Sequence, residues 1–187
     1  MGKIQYYLKN NTRIADEHID QISRCFRLQH VKKNTLLLSE GETCKDLYFV
    51  HRGSIRTYFV TARGQEKTRH IAFENAIITS ISSFISQKKS TEFVETLENS
   101  ELYAINHKDF YQLLSDIPLW EKYYRLFLES TYLCQNQKME NRITLSAKQR
   151  YDKLMSEEPI YIQRLSNRIL ASYLDITQET LSRLKSK

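Results

Sequence analysis

The pattern of the sequence changes near residue 106, and this change limits the possible folds more than any other feature. Between Val31 and Ile105, short runs rich in β-branched and aromatic residues alternate with turn residues. From His107 onward, apolar residues recur at helical spacing instead. The extended runs cover residues 36–38, 47–50, 54–60, 68–73, 76–78, 93–97 and 102–105. This order predicts an α+β chain with an N-terminal jelly-roll β-barrel.

Helices are expected on both sides of the barrel. Apolar spacing over residues 16–28 predicts a short N-terminal helix. Pro118 is well placed in the first turn of a long helix that continues to about Met139 or Ile143, because a proline there loses no hydrogen bond. Ser146 then has the chemistry of an N-cap for a helix ending near Met155.

The long helix carries a wide aromatic and aliphatic stripe that includes Trp120, Tyr124, Leu128 and Tyr132. A stripe of this width favours a dimer-forming helix, and the alternative is packing against its own domain alone. The pattern gives three expected parts: a β-roll sensor domain over residues 1–116, a dimerisation helix over 117–143 and a C-terminal module over 144–187.

The last residues predict two short helices joined by an abrupt turn. Leu170, Ala171 and Leu174 share one helical stripe, and Leu181 and Leu184 share a second. Thr177, between them, is a suitable N-cap for the second helix. This layout is typical of a helix-turn-helix, whose second helix reads the DNA major groove. The alternative is a helical hairpin that only closes a bundle.

If the pair is a helix-turn-helix, the second helix presents residues able to contact bases and phosphates. Arginine can pair with guanine, glutamine with adenine, and glutamate can accept from cytosine. The expected DNA-binding residues are Thr177, Gln178, Glu179, Thr180, Ser182, Arg183 and Lys185, with Lys187 also near the phosphates.

Charge and cysteine content narrow the functional class. Residues 138–187 carry ten Lys and Arg against six Asp and Glu, while the rest of the chain carries eighteen against sixteen. This C-terminal excess suits a nucleic-acid-facing module. Cys25, Cys44 and Cys134 lie far apart, which argues against a disulfide framework, a zinc site or an iron–sulfur cluster. Without a signal peptide or a long apolar run, we expect a cytoplasmic protein with no membrane association and no cofactor.

Several local motifs agree with the order β-roll, long helix, helix-turn-helix. The segment 38–42, Leu-Ser-Glu-Gly-Glu, is followed by Leu-Tyr-Phe-Val-His-Arg-Gly-Ser-Ile over 47–55, with Arg63-Gly64 after it. The C-terminal run 176–183 reads Ile-Thr-Gln-Glu-Thr-Leu-Ser-Arg. Over essentially its whole length the chain resembles the Crp/Fnr family of bacterial transcription regulators. The resemblance implies a non-enzymatic, homodimeric regulator whose partners are double-stranded DNA and RNA polymerase.

The resemblance also marks where a small-molecule effector would bind. Cyclic-nucleotide binders of the family carry Gly-Glu and, about ten residues later, Arg followed by Ser or Thr. Here Thr79-Ser80 stand at the first position and Ser90 aligns with the arginine, so we expect the phosphate grip to be lost. The corresponding candidates are Thr79, Ser80, Lys88, Lys89, Ser90 and Thr91, with Gln135 and Asn136 where the family contacts a nucleobase. The effector is then a different molecule or is absent.

The sequence leaves some alternatives open. A cupin-type enzyme would share the jelly-roll architecture, but it needs a His-x-His metal motif that this sequence lacks. No catalytic or metal-binding residue is therefore assigned. A cyclic-nucleotide or other ligand sensor acting through a protein partner is the other reading. The sequence also stops directly after the second helix, so a short or absent β-wing is expected.

Overall fold

The computed structural model describes residues 3–11 and 16–186, and these fall into two compact units. The first, called the β-roll unit, comprises the described residues up to Phe59 together with His70–Leu126. The second, called the helical unit, comprises Val60–Arg69 together with the described residues from Phe127 onward. Lys187, one of the residues expected near DNA phosphates, lies outside the described residues.

The β-roll unit contains short helices before, within and after its strands. The elements in this part of the chain are α1 (Lys3–Asn11), α2 (Asp16–Arg24), β1 (Arg27–Val31), β2 (Leu36–Leu38), β3 (Asp46–Arg52), β4 (Ile55–Val60), β5 (Glu66–Ala72), β6 (Ile77–Ile78), α3 (Ile81–Ser86), β7 (Phe93–Thr96), β8 (Ser100–Asn106) and α4 (His107–Asp116). The last residue of β4 and the first four residues of β5 belong to the helical unit. The strands confirm the extended runs predicted from the sequence. This is the α+β architecture that the change of pattern indicated.

The strands form two four-stranded sheets in the described part of the chain. One has the order β1-β8-β3-β6 and the other β2-β7-β4-β5, so neighbours in space are seldom neighbours in sequence. In the first sheet Arg27 lies opposite Ala104 and the pairing is antiparallel. In the second, Arg56 lies opposite Glu95. This crossed order is typical of a jelly roll.

The core of the β-roll unit lies between the sheets and under α4. Leu47, Ile55 and Leu102 are almost wholly buried, and Phe110 packs edge-on against Trp120. Gly53, between β3 and β4, has φ of +100°, and a Cβ there would stand 2.9 Å from the Ser100 Cα. Because no side chain fits in that space, this turn requires glycine.

The N-terminal helix was predicted too long. α2 ends at Arg24, and Leu28 lies in strand β1 opposite Tyr103 instead. The ladder to β8 supplies backbone hydrogen bonds to residues 27–31, which outweighs the helical spacing of the apolar residues. α1 and α3 were not predicted, because each carries too short an apolar pattern to be recognised.

The helical unit is built mainly from five consecutive elements. These are α5 (Pro118–Thr144), which begins in the β-roll unit, then α6 (Ala147–Glu157), α7 (Pro159–Arg164), α8 (Asn167–Leu174) and α9 (Gln178–Lys185). Pro118 opens α5, as the sequence predicted. Ser146 caps α6 in a reciprocal capping box with Gln149, which confirms its assignment as an N-cap. The sequence predicted that α6 ends near Met155; it ends at Glu157, and Pro159 then starts the short helix α7, which was not predicted.

Two further observations concern all the described residues: whether a helix could span a membrane and whether side chains could hold a metal ion. None of the described helices is long and apolar enough to cross a membrane. Within the same residues, His, Cys, Asp and Glu side chains do not gather in any group of three or more that could hold a metal ion.

Candidate functional site

Helices α8 and α9 meet at a sharp turn whose backbone is fixed at both ends. α8 ends at Asp175, which adopts the left-handed conformation with φ of +55°. The Ile176 N–H donates back to the Ala171 carbonyl oxygen at 3.0 Å. Thr177 then caps α9, its hydroxyl accepting from the Thr180 N–H at 3.2 Å. The predicted helix break and N-cap are therefore present.

The two helices are held together by a small apolar core. Leu170 and Leu181 are fully buried, and Ala171 and Leu174 nearly so. Leu184 is only partly buried, near the end of α9. Because Leu181 and Leu184 lie on one side of α9, the opposite side of the helix faces solvent.

That solvent face carries the residues singled out from the sequence. Thr177, Gln178, Glu179, Ser182, Arg183 and Lys185 are exposed and Thr180 is half-buried. Arg183 Nη2 lies 3.4 Å from the Thr180 hydroxyl, and Lys185 Nζ donates to Asn167 Oδ1 at 2.6 Å. The backbone N–H at the start of α9 lowers the pKa of Glu179, with smaller contributions from Thr177 and Arg183. The face is thus polar, charged and fixed at its N-terminal end.

The β4–β5 hairpin packs on α8 within the same unit. The Ser172 hydroxyl accepts from the Thr68 N–H at 2.8 Å and donates to the Glu66 carbonyl oxygen at 2.9 Å. Arg168 Nη1 forms an ion pair with Glu66 Oε1 at 2.9 Å. The hairpin therefore holds the first helix of the pair by both backbone and side-chain bonds.

Asp175 is the electrostatic centre of this region. Its carboxylate pairs with Lys67 Nζ at 2.5 Å and with Arg142 Nη2 at 2.6 Å. Partial burial alone would raise the pKa of Asp175, but the bonds and charges of Lys67 and Arg142 outweigh it and lower the pKa. One turn residue thereby joins the hairpin, α5 and the α8–α9 corner.

Lys138 on α5 makes a second connection to the hairpin. Its Nζ donates to the carbonyl oxygens of Thr68 and Arg69, at 3.3 and 2.6 Å, and stands 3.6 Å from the centroid of the Tyr173 ring. Burial, together with the charge of Arg142, lowers the pKa of Lys138 to about 7. Neither Lys138 nor Asp175 was expected from the sequence, since a single charged residue on a helix is usually a surface residue.

The described part of α5 also exposes large apolar side chains. Leu126 and Leu133 are seven residues apart, as are Tyr132 and Met139, and Ile143 lies near the helix end. These five side chains, here called the α5 stripe, retain between 48% and 78% of their accessible surface. Spacing by seven residues keeps them on one side of the helix.

Inside the β-roll unit, the residues expected near a ligand phosphate form a buried cluster of their own. The Ser80 hydroxyl lies 3.0 Å from the Ser90 hydroxyl and donates to Glu92 Oε2 at 2.8 Å. Ser90 also donates to the Glu92 carbonyl oxygen at 3.0 Å. All three residues are almost wholly buried. The carboxylate of Glu92 therefore stands beside the position where an anion would be held.

The remaining candidates for that site point elsewhere. Thr79 donates to the Asp46 carbonyl oxygen at 2.9 Å and contacts the Cys44 thiol, whose pKa is raised by burial. Lys88, Lys89 and Thr91 are exposed. The other two candidates, Gln135 and Asn136, are half-buried on α5 in the helical unit. Ser80 and Ser90 are thus brought together, whereas the lysines are not directed into the cluster.

A buried ion pair also lies in the β-roll unit. Arg56, with 1% of its side chain exposed, donates from Nε and Nη2 to Glu95 Oε2 at 2.8 and 2.6 Å. Its guanidinium lies 3.9 Å above the Tyr58 ring, which stacks on Phe93. Neither this ion pair nor the role of Glu92 was predicted from the sequence, because carboxylates in strand-rich segments are usually exposed.

Comparison with known proteins shows which fold this chain shares. Residues 28–116 match the family model of the cyclic nucleotide-binding domain. A solved structure described as a Crp/Fnr-family transcriptional regulator from Eubacterium rectale is 20% identical, with a TM-score of 0.75, covering 96% of this chain and 85% of that one. This chain has the Crp/Fnr fold.

Two further solved structures share the Crp/Fnr fold with it. The c-di-GMP-responsive global regulator CLP of Xanthomonas campestris is 18% identical with a TM-score of 0.71, covering 92% of this chain and 90% of that one. The catabolite activator protein of Thermus thermophilus is 19% identical with a TM-score of 0.61, covering 93% and 83%. No curated protein matches the chain by sequence. The resemblance noted from the sequence is thus confirmed at the level of the fold.

Proposed function

We propose that this chain is a sequence-specific DNA-binding transcriptional regulator that acts in the cytoplasm as a homodimer, together with RNA polymerase. The observation that carries the proposal is the solvent face of α9, which is capped at Thr177, anchored by Leu181 and lined with exposed polar side chains. In this proposal residues 1–116 sense a signal, 117–143 dimerise and 144–187 bind DNA.

The solvent face of α9 has the chemistry needed to read base edges. Arg183 can pair with guanine through two hydrogen bonds, Gln178 with adenine, and Glu179 can accept from cytosine. Thr177, Thr180 and Ser182 add short hydroxyl donors and acceptors. Lys185 would neutralise a phosphate and fix the register of the helix. These roles require α9 to lie in the major groove with its N-terminus toward the bases.

The α5 stripe supports the homodimer. An exposed row of leucine, tyrosine, methionine and isoleucine is costly to leave in water, and a second copy of the same helix would cover it. A twofold pair of α9 helices would then contact two half-sites about one DNA turn apart, so the operator would be a pseudo-palindrome.

The Ser80–Ser90–Glu92 cluster supports the view that the β-roll does not hold a cyclic phosphate as a cyclic-nucleotide binder does. A phosphate needs N–H donors and a cation, whereas a buried carboxylate here accepts a hydrogen bond from Ser80. The effector would be an unidentified small molecule of other chemistry, or the protein would act without one. An effector changes DNA binding only through its different affinity for the competent and incompetent states.

Selection of bound DNA from a random pool tests the proposal directly. We expect a pseudo-palindromic site, and Arg183→Ala should weaken its binding by roughly 5- to 150-fold, the value of one lost base pairing contact. Arg24→Ala removes the same charge from an exposed position on α2 and is the matched control. If both variants bound the selected site as tightly as the unmodified protein, the role of α9 would be wrong.

Sedimentation tests the dimer separately. Leu133→Glu introduces a charge into the α5 stripe and should shift the protein from dimer to monomer. Met155→Glu, which introduces the same charge at an exposed apolar residue of α6, should leave the dimer intact. A protein that is monomeric at every concentration would contradict the proposed assembly.

The match of residues 28–116 to the cyclic nucleotide-binding domain favours a second candidate, a ligand sensor acting through a protein partner. Thermal unfolding with cAMP, cGMP or the selected DNA distinguishes the two. Stabilisation by a cyclic nucleotide without any selected DNA site would favour the sensor.

A further inference from the structure

A cavity in the helical unit is not accounted for by DNA binding or by the β-roll cluster. It has a volume of about 190 Å³ and lies between one face of α5, one face of α6 and the end of α8. Its lining includes Leu154, Tyr173 and Leu174 together with several charged and amide side chains. None of the α9 residues proposed to contact DNA lines it.

The walls of this cavity hold an excess of positive charge. Lys138, Arg142, Arg150 and Lys153 line it, against the carboxylates of Glu157 and Glu158. Arg142 alone among these cations is paired, through Asp175. Burial is the main cause of the lowered pKa of Lys138 and the charge of Arg142 is the next, while Cys134 and Asp175 act in the opposite direction.

The other three cations have only neutral partners. Lys138 donates to two backbone carbonyl oxygens. Arg150 donates from Nε to the Leu174 carbonyl oxygen at 3.2 Å and from Nη1 to that of Leu145 at 2.7 Å. Lys153 Nζ lies 3.3 Å from the Asn141 amide oxygen. Backbone and amide oxygens orient these groups without neutralising them.

These cations keep donors to spare. An ammonium group has three N–H bonds and a guanidinium five, so Lys153 has two uncommitted donors and Arg150 has three. Both residues are half-buried, which makes a charge-assisted hydrogen bond stronger than it is at a fully exposed site. The groove therefore has charge and uncommitted donors, and its own carboxylates, Glu157 and Glu158, form no ion pair with Arg150 or Lys153.

We propose that the groove between α5, α6 and α8 binds a compact, multiply charged oxyanion, with Lys153 and Arg150 as its principal donors. The chemistry fits a phosphate or a small polycarboxylate. Since Arg150 also holds the last carbonyl of α8, a bound anion would brace α6 against the first helix of the helix-turn-helix.

Calorimetric titration with inorganic phosphate and with citrate, at constant ionic strength, tests the site. The unmodified protein should bind at least one of the two, and Lys153→Gln should weaken that binding roughly tenfold or more, as expected for one lost bond to a charged group. Lys148→Gln is the matched control, because Lys148 lies on the same helix, is exposed and pairs only with Asp152. Comparing the two ligands tells which oxyanion is preferred.

The outcomes separate this site from the proposed DNA surface. The proposed oxyanion site is supported if Lys153→Gln loses binding and Lys153→Arg keeps it. Lys148→Gln and Arg183→Ala should then bind the ion as the unmodified protein does. Binding that is equal in Lys153→Gln and the unmodified protein overturns it, as does loss in Arg183→Ala alone or no binding of either ion. Circular dichroism of Lys153→Gln without ligand confirms that the variant is folded. A failed DNA selection would leave this test unaffected.

Discussion

The two candidate sites use their polar residues in opposite ways. On α9 the polar side chains lie on the outside, and their few bonds are to neighbours on the helix surface. In the β-roll, Ser80, Ser90 and Glu92 are buried and bonded to one another. An exposed polar surface is available to a partner without rearrangement, whereas a buried cluster must first give up its internal bonds. The difference suggests that the proposed DNA-binding face of α9 can bind without rearrangement, whereas the interior of the β-roll is stabilised by its own hydrogen bonds.

Breaking the buried ion pair of the β-roll should have the largest effect. Arg56→Ala leaves the Glu95 carboxylate without its guanidinium in the interior and should lower the free energy of unfolding by about 3–5 kcal/mol. Trp120, the only tryptophan and itself in the β-roll unit, reports this unfolding by fluorescence in urea. The double variant Arg56→Met/Glu95→Leu should recover most of the loss, since an apolar pair replaces the charges together. A loss below about 1 kcal/mol in Arg56→Ala would mean that the pair is solvated.

The cluster of Ser80, Ser90 and Glu92 tests the contrast between buried polar residues of the β-roll and exposed polar residues of α9. Ser80→Ala removes a donor from a buried carboxylate and should lower the free energy of unfolding by about 1–3 kcal/mol. Ser182→Ala, on the solvent face of α9, should change it by less than about 0.5 kcal/mol. Both are measured by urea unfolding. Equal effects at the two serines would contradict the contrast between hydrogen-bonded polar residues in the β-roll interior and exposed polar residues on α9.

The sequence predicted α9 better than the β-roll interior, for a physical reason. Helix-turn-helix signals are local: an N-cap at Thr177 and apolar residues three or four positions apart act within a few residues. The bonds of Ser80 to Glu92 and of Arg56 to Glu95 depend on which strands meet, and strand order is not a local property. The error over residues 25–28 has the same origin, because β8, far along the chain, makes Leu28 a strand residue.

The cap of α9 should matter less than the β-roll interior. Thr177→Ala removes the hydroxyl that accepts from the Thr180 N–H and should cost about 1 kcal/mol of local stability. Amide hydrogen exchange over α9 should rise accordingly, with little change in β8. Thr177→Ser keeps the hydroxyl and is the control. If both variants exchanged at the same rate, the cap would not be what orders the start of the helix.

The smallest expected effect is at Asp175. There, the pH dependence of stability distinguishes the contribution of the carboxylate charge from that of packing. The bonds from Lys67 and Arg142 lower the folded-state pKa of Asp175. The ionised carboxylate therefore stabilises the helical unit above the ordinary aspartate pKa of about 3.9. This contribution is lost as the pH falls through the folded-state pKa. Asp175→Asn should cost less than about 1 kcal/mol near neutral pH, because Lys67 and Arg142 are substantially exposed and solvent weakens their attraction.

Asparagine accepts the left-handed backbone of residue 175 as readily as aspartate, so the comparison tests the carboxylate alone. The difference in unfolding free energy between the two proteins should be constant above about pH 5 and shrink below about pH 4. High salt should reduce it at neutral pH, since the paired charges are screened. A difference that stayed constant down to the lowest pH would show that Asp175 acts through its shape and hydrogen bonding, and the hairpin would then be held to α8 chiefly by Ser172.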